Sequence, residues 1–441
     1  MVGEARVSPS ARGPSRLLPA TLIMIAANVV GVYSMAQRVA WGWHLLALAA
    51  IFVALACWVR RDLRRVSIRQ LAVITLAVQL TGLLVFPLTS DDVYRYIWDG
   101  RVQLAGIDPY RYVPLDPVLT WLRDDVLFPP GRPPLINRPT VPTLYPPGAQ
   151  AWFTAVAASV PSGWALTALR VGAAAAVVAT TVVLARSLGE DRGRSLVYGA
   201  NPLIMIEAAN GGHLDALVGL AIAALGWCAV RRRHWLAGLC LGLAASLKLV
   251  PLLLLPVFLR RGRWRTALTA ATMASAGYVP HVLVAGALVF GYLPGYWAEE
   301  GYRAGGRFAL LIWLPEQLRT PVALTVAAGL AVLAFVRSGR EPVLVTCTWL
   351  YGASFLVATP IYPWYAMPLV VLAVSARRWE WLAVWAAAYV AFVFDNAVAV
   401  QALAYGSSLV VVLVVALRRR SADHDHDLNA DRGRTDDVIV S

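Results

Sequence analysis

The sequence predicts an all-α polytopic membrane protein of about 12–14 membrane segments. Three observations carry this. The 441 residues are 59% hydrophobic and only 15% charged, against about 25% charged in soluble domains. Apolar runs long enough to cross a bilayer recur along most of the chain. The basic residues behind the net charge of +14 fall in short arginine runs between those segments, where they set topology. They form no basic face interleaved with aromatics, so a nucleic-acid partner is excluded and membrane lipids are the expected surroundings.

The chain divides into a cytoplasmic N-terminus (1–18), one transmembrane domain (19–417) and a polar tail (418–441) that reads as disordered and cytoplasmic. Arg6, Arg12 and Arg16 precede the first apolar run like the opening of a signal peptide. No small-residue cleavage site follows, so 19–36 reads as an uncleaved first span. Spans at 41–59 and 71–88 come next, around a loop holding Arg60, Arg61, Arg64 and Arg65. That loop marks the inside, and three crossings then bring the chain out at Asp91 and Asp92.

The segment 90–148 is far longer than an ordinary helix connection and is rich in proline and aromatics, which points to function. If residues from Asp92 onward are helical, Asp92, Arg95, Tyr96 and Asp99 share one face of a polar helix at the membrane surface. A simpler reading makes Asp91 or Asp92 an N-cap, and the two readings are compatible. The run 149–160 is too short to span and reads as interfacial or half-inserted.

Beyond it, 164–185 is a span, and 195–210 and 214–230 form a pair separated by Asn210-Gly-Gly-His213. Arg231, Arg232 and Arg233 return the chain to the inside, which puts His213 and Asp215 at the outer face. The stretch 235–259 is basic at both ends and holds Lys248, followed by Pro251 and Pro256. The consistent solution is two short segments that rise and return, with Lys248 at the outer turn. The alternative is one tilted span whose lysine pairs internally or snorkels. The later spans, to 397–417, place Glu299, Glu300, Tyr362, Trp364 and Asp395 outside and Arg337, Arg377 and Arg418 inside.

The four cysteines, Cys57, Cys228, Cys240 and Cys347, lie in apolar runs without ligand spacing and read as packing residues. The tract from Asp423 to Asp427 could hold a metal loosely, but a solvated tail is the plainer reading, so neither a metal nor a cofactor is expected.

Nearly all the unusual polar residues thus fall on the outer side. A carboxylate pair, a histidine and a lysine near one leaflet suit chemistry on a phosphate-bearing group. A carboxylate would deprotonate an attacking hydroxyl, and a cation would stabilise the departing phosphate. Tyrosine and tryptophan flank sugars well, though Tyr362 and Trp364 also fit an aromatic belt.

Asp92-Val-Tyr-Arg-Tyr-Ile-Trp-Asp-Gly-Arg101, Gly106-Ile-Asp-Pro-Tyr110 and Leu144-Tyr-Pro-Pro147 resemble the first external loop of GT-C glycosyltransferases. More narrowly, they resemble actinobacterial polyprenyl-phosphate-mannose-dependent mannosyltransferases of glycosyltransferase family 87. Asn210-Gly-Gly-His-Leu-Asp215, Ser246-Leu-Lys248 and Pro363-Trp-Tyr365 fit the same pattern, so the likeness runs from about residue 71 to 365. It implies inverting transfer of a sugar, mannose by this likeness, from a polyprenyl-phosphate donor to a hydroxyl of a glycolipid or glycan acceptor. The active site would be extracytoplasmic, in a multi-pass plasma-membrane enzyme with both termini cytoplasmic.

By the same likeness Asp92 is the favoured base, with Asp91 beside it. Lys248, Arg95 and His213 would bind the donor phosphate. Tyr94, Tyr96, Trp98, Asp99, Tyr145, Asp215, Tyr362 and Trp364 would line the substrates. One departure stands out: the acidic loop follows the third span here, and the first in many GT-C enzymes. Two extra spans leave its side unchanged. The rival class is a flippase of lipid-linked saccharide, which would show inverted repeats and acids within its spans.

Overall fold

The computed structural model describes residues 16–439 except 39, 261 and 304, with the side chains of 65 and 422–439 also outside the description. The N-terminal arginines before Arg16 and the side chains of the Asp423–Asp427 tract therefore lie outside the described residues. Every regular element among the described residues is helical.

Helices α1 (Leu17–Ala36), α2 (Trp41–Val59) and α3 (Ile68–Gly82) open the chain. Ser67 and Gln70 form a capping box that starts α3 directly after the arginine loop. Next come α4 (Asp92–Leu104) and α5 (Pro147–Ser159), which pack on each other, and the long α6 (Ala165–Leu188). Two short helices follow, α7 (Leu196–Gly199) and α8 (Pro202–Met205), the latter set by Asn201 as cap and Pro202 at its first position.

A π-helical turn, Ile206–Asn210, leads into α9 (Asp215–Val230), and the chain bends there by 117°. After α10 (His234–Leu247) and α11 (Leu255–Phe258) come α12 (Trp264–Ala276), α13 (Val279–Ala285) and α14 (Leu293–Glu299). Helices α15 (Glu316–Arg337), α16 (Val343–Val357), α17 (Met367–Ala376), α18 (Leu382–Val393) and α19 (Val398–Ile439) complete the bundle.

Among the described residues, six helical segments are long and apolar enough to cross a membrane alone, and the bent pair around Asn210 makes up to seven. Five shorter apolar helices accompany them. The sequence reading counted these short and broken pieces as spans too. Helix α10 is cut short where the chain reaches Lys248 at a cavity wall.

The bundle has two chemically distinct ends. At one, the backbone N–H of Arg16 donates to Asp62 at 2.8 Å, Arg377 pairs with Asp191 at 2.5 Å and Arg419 pairs with Glu380 at 3.0 Å. Charges there neutralise one another in loops, as topology-setting residues do. At the other end lie the charged helix α4, the bend at His213 and the turn at Lys248.

The stretch 235–259 resolves in favour of a rise and return. Helix α10 ends at Lys248, whose backbone is extended, and Pro251 and Pro256 start new turns beyond it. The Thr266 hydroxyl donates to the His234 carbonyl at 3.0 Å, so the two basic runs flanking the stretch share one end of the bundle. Gly238 and Gly242 allow α10 to lie against α12; a Cβ at Gly238 would sit 2.6 Å from Thr269. Small-xxx-small spacing of this kind lets helix backbones approach in lipid.

Helix α4 corrects its expected setting. It forms where expected, but Arg95, Tyr96, Trp98 and Asp99 are buried, so it is no open surface helix. It is sandwiched between α5 and the proline-rich loop. Nor does Asp91 cap it: its side chain makes no capping bond, and the Ser90 hydroxyl accepts the Asp92 N–H at 3.1 Å. Cys57 also departs from the packing role, since it is exposed on the apolar surface.

The two ends should be separable by labelling. In a background without native cysteines, Val118→Cys in the proline-rich loop and Arg233→Cys in the arginine run are both at exposed positions. An impermeant thiol reagent should reach them from opposite sides of the membrane. Labelling of both from one side would overturn this arrangement.

Candidate active site

A cavity of about 400 Å³ opens at the polar end. Its wall includes Asp91, Asp92, Arg95, Tyr96, Tyr145, Lys248, Tyr362 and Trp364, all named from the sequence. Those residues span four separated stretches of the chain, and the bundle alone brings them together.

Asp92 holds the centre. One oxygen accepts from the Asn137 amide at 2.5 Å, and the other lies 3.8 Å from Nδ1 of His213. Asp91 stands beside it on the more open side. Burial at the cavity rim, with the Asp92 charge next to it, pushes the Asp91 carboxyl above its ordinary range, and Arg38 offsets this only in part. The neighbours thus have different environments, as adjacent residues at a helix start should.

Lys248 is not a free cation. Its ammonium donates to both Asp215 oxygens, at 2.9 and 2.7 Å, and sits 3.5 Å over the Tyr365 ring. Only Lys248 reaches the cavity; Asp215 is buried behind it. Asp215 therefore positions the lysine instead of meeting substrate. A carboxylate this deep in an apolar bundle requires such a partner.

Of the other expected residues, Tyr94, Trp98, Asp99 and His213 are not part of the cavity wall. Trp98 belongs to a small core inside the proline-rich loop with Leu119, Leu127 and Ile136, and its ring meets Phe128 edge-on at 5.0 Å. Asp99 is bonded to Arg95 at 2.9 Å and accepts from the Gln150 amide at 3.2 Å. Arg95 in turn donates to the carbonyls of Arg138 and Val141, both at 3.2 Å, so much of its guanidinium fastens the loop to α4. Tyr94 packs between the main core and the loop core. His213 is fully buried, with Trp364 stacked on it at 4.3 Å. Tyr362 stacks on Trp364 at 4.8 Å. Trp364 is thus an interior ring with both faces covered, neither a belt residue nor a free platform for sugar.

Several residues of the site escaped the sequence reading. Arg138 lines the cavity and pairs with Glu299 at 3.1 Å and Glu300 at 3.3 Å. Glu300 also bonds Arg307 and accepts from the Tyr362 hydroxyl at 3.3 Å. Glu207 lies fully buried behind His213, and Arg170 is almost wholly buried. Both sit inside apolar runs, and an ionisable residue in such a run is itself a signal.

Residues 2–261 match the family model described as MptA_B_family, alpha-(1->6)-mannopyranosyltransferase, N-terminal domain. The chain belongs to this family. It is a membrane-embedded glycosyltransferase of the GT-C mannosyltransferase type, which decides between the enzyme and the flippase. A sugar donor and a glycan acceptor follow from that class of reaction. No curated protein and no solved structure matches the chain. The matched residues include Asp91, Asp92, Asn137, Arg138, Glu207, His213, Asp215 and Lys248, while Glu300, Tyr362 and Trp364 lie beyond them.

Two measurements test this geometry. Lys248→Ala leaves Asp215 buried without a cation, a loss of about 3–5 kcal/mol when one member of a buried pair is removed. The single variant should therefore melt well below wild type, and Lys248→Ala with Asp215→Asn should recover much of that loss while mannosyl transfer stays impaired. Equal melting of the single and double variants would refute the pairing. For Asp91, a raised carboxyl means that the folded state binds its proton more tightly than the unfolded state. Its contribution to stability then grows as pH falls through the raised value and is complete below the ordinary value near 3.8. Asp91→Asn should equal or exceed wild-type stability at neutral pH, and the difference should shrink on acidification. A variant less stable at neutral pH would contradict that sign.

Proposed function

We propose that this enzyme transfers mannose from a polyprenyl-phosphate donor to a hydroxyl of a lipid- or polysaccharide-linked acceptor. Transfer occurs on the extracytoplasmic side of the plasma membrane, with both termini cytoplasmic. The observation that carries the reading is one cavity whose wall holds both an acidic pair and a lysine. The base must reach an attacking hydroxyl, and the cation must meet the charge that develops on a leaving phosphate.

Asp92 takes the proton of the acceptor hydroxyl as that oxygen attacks the anomeric carbon. The bond to the phosphate oxygen breaks, and its electron pair leaves with polyprenyl phosphate. Lys248 stabilises that charge, aided by Arg138 if the donor draws it from Glu299. Attack from the face opposite the phosphate inverts the anomeric centre. An alpha-(1→6) product, in keeping with the family description, then requires a β-linked donor. The basic loops at the far end of the bundle support the sidedness, because arginine-rich loops stay on the cytoplasmic side.

Purified protein incubated with polyprenyl-phosphate-mannose and a mannoside acceptor should release polyprenyl phosphate. No release with any mannosyl acceptor would remove the donor assignment. Asp92→Asn should keep the donor bound and lose at least about a hundredfold in single-turnover rate, the usual size of a general-base contribution. Asp91→Asn should lose less. Near-normal turnover in Asp92→Asn would remove it as the base.

A further inference from the structure

Behind Asp92 stands a chain of buried polar groups for which the transfer step as described has no use. His213 and Glu207 are each completely buried. The His213 ring lies between two carboxylates, with Nδ1 3.8 Å from Asp92 and Nε2 3.4 Å from Glu207. Neither ring nitrogen has a hydrogen-bond partner in bonding geometry. Glu207 is firmly held: the Tyr389 hydroxyl donates to one oxygen at 2.8 Å and that of Thr89 to the other at 3.1 Å.

The backbone makes this alignment. The π-helical turn ends at Asn210, and the His213 N–H donates to the Glu207 carbonyl at 3.1 Å, so both side chains leave the same turn. Extra turns of this type cost regular hydrogen bonding and gather at functional sites. Trp364 stacks on the ring and fixes its plane, which leaves the two nitrogens aimed at the two carboxylates.

Charge decides the protonation pattern. A buried carboxylate without a cation is costly. The Lys248–Asp215 pair is already closed on itself. For Glu207, His213 is the residue within reach that can carry positive charge. The neutral imidazole has one N–H, whereas the imidazolium has two, one for each carboxylate. Apo contacts of this length commonly tighten when substrates bind.

We propose that Glu207 is a positioning residue for the transfer reaction: it holds His213 as an imidazolium, and that imidazolium keeps Asp92 ionised and aimed into the cavity. The inference rests on Asp92 being the base. It adds a reason that the base stays ionised in an apolar surrounding beside Asp91. The other charged and titratable groups facing these residues are already arranged around them. Asp215 lies within electrostatic reach of both His213 and Asp92 and is neutralised by Lys248. Asp91, Tyr96, Tyr145 and Tyr365 face Asp92 without supplying a cation, and Lys248, which is within electrostatic reach of Asp92, is bonded to Asp215.

The test is the pH profile of single-turnover transfer from polyprenyl-phosphate-mannose in full-length protein. Glu207→Gln keeps the size and the bonds to Tyr389 and Thr89 but removes the charge. Loss of the positive charge beside the base should move the acidic limb to higher pH. Donor KM should change little. His213→Phe keeps the stacking on Trp364 and should shift the limb at least as far, and the double variant should go no further than His213→Phe alone. Should Glu207→Gln not fold, His213→Phe carries the test by itself. A lower melting temperature with an unmoved acidic limb would reduce Glu207 to a structural residue and overturn the proposal. Failure of the base assignment is seen separately, as turnover in Asp92→Asn, and the proposal falls with it. A dead Asp92→Asn beside unshifted Glu207→Gln and His213→Phe profiles would overturn this inference alone.

Discussion

Helices that break at membrane depth leave carbonyls and N–H groups that lipid cannot satisfy. Much of this protein's polar end follows from meeting that demand. Arg170, inside the apolar helix α6, donates to the carbonyls of Gly82 at 2.6 Å, Val85 at 2.7 Å and Ala209 at 3.0 Å. Asn210 donates to those of Gly82, Val85 and Phe86, and its side-chain oxygen accepts the Leu88 N–H at 2.9 Å. These two residues clamp the end of α3 against the π-helical turn. The chain can therefore leave the bundle at Thr89 and present Asp91 and Asp92 to the cavity. A single buried guanidinium serves three carbonyls at once, which offsets much of the cost of its desolvation.

The same economy governs the site. Most charges reaching the cavity are already paired: Lys248 with Asp215, Arg95 with Asp99, Arg138 with Glu299 and Glu300. The cations of the cavity wall are thus fixed in place by their carboxylate partners. Asp92 is held more loosely, by the Asn137 amide at 2.5 Å and by His213 at 3.8 Å. The proline-rich loop takes part through Asn137 on Asp92 and through Arg138, so loop order and chemistry are coupled.

Much of this could be read from the chain. The arginine runs, counted against the apolar segments, grouped Asp92, His213, Lys248 and Tyr362 before any contact was known. The break at Lys248 was legible because proline ends helices and basic loops forbid a single crossing. Glu207 and Arg170 were legible in principle, as ionisable residues inside apolar runs, and were passed over. Trp98 and Asp99 misled, because a polar or aromatic residue next to an acidic pair has the same signature whether it lines a cavity or packs a loop.

The sequence by itself determined the class of protein, the grouping of its basic loops and the break in the chain at Lys248. Those features depend on local hydropathy, charge and backbone chemistry, which act within a few residues. Only the tertiary structure decided which groups are free. Lys248 meets Asp215, Arg138 meets Glu300 and Tyr389 meets Glu207 across large separations in the chain. No periodicity records such partnerships, because they arise from how the broken helices dock. The reactive character of a carboxylate or a lysine depends on its partners, and so the site took its meaning from the fold.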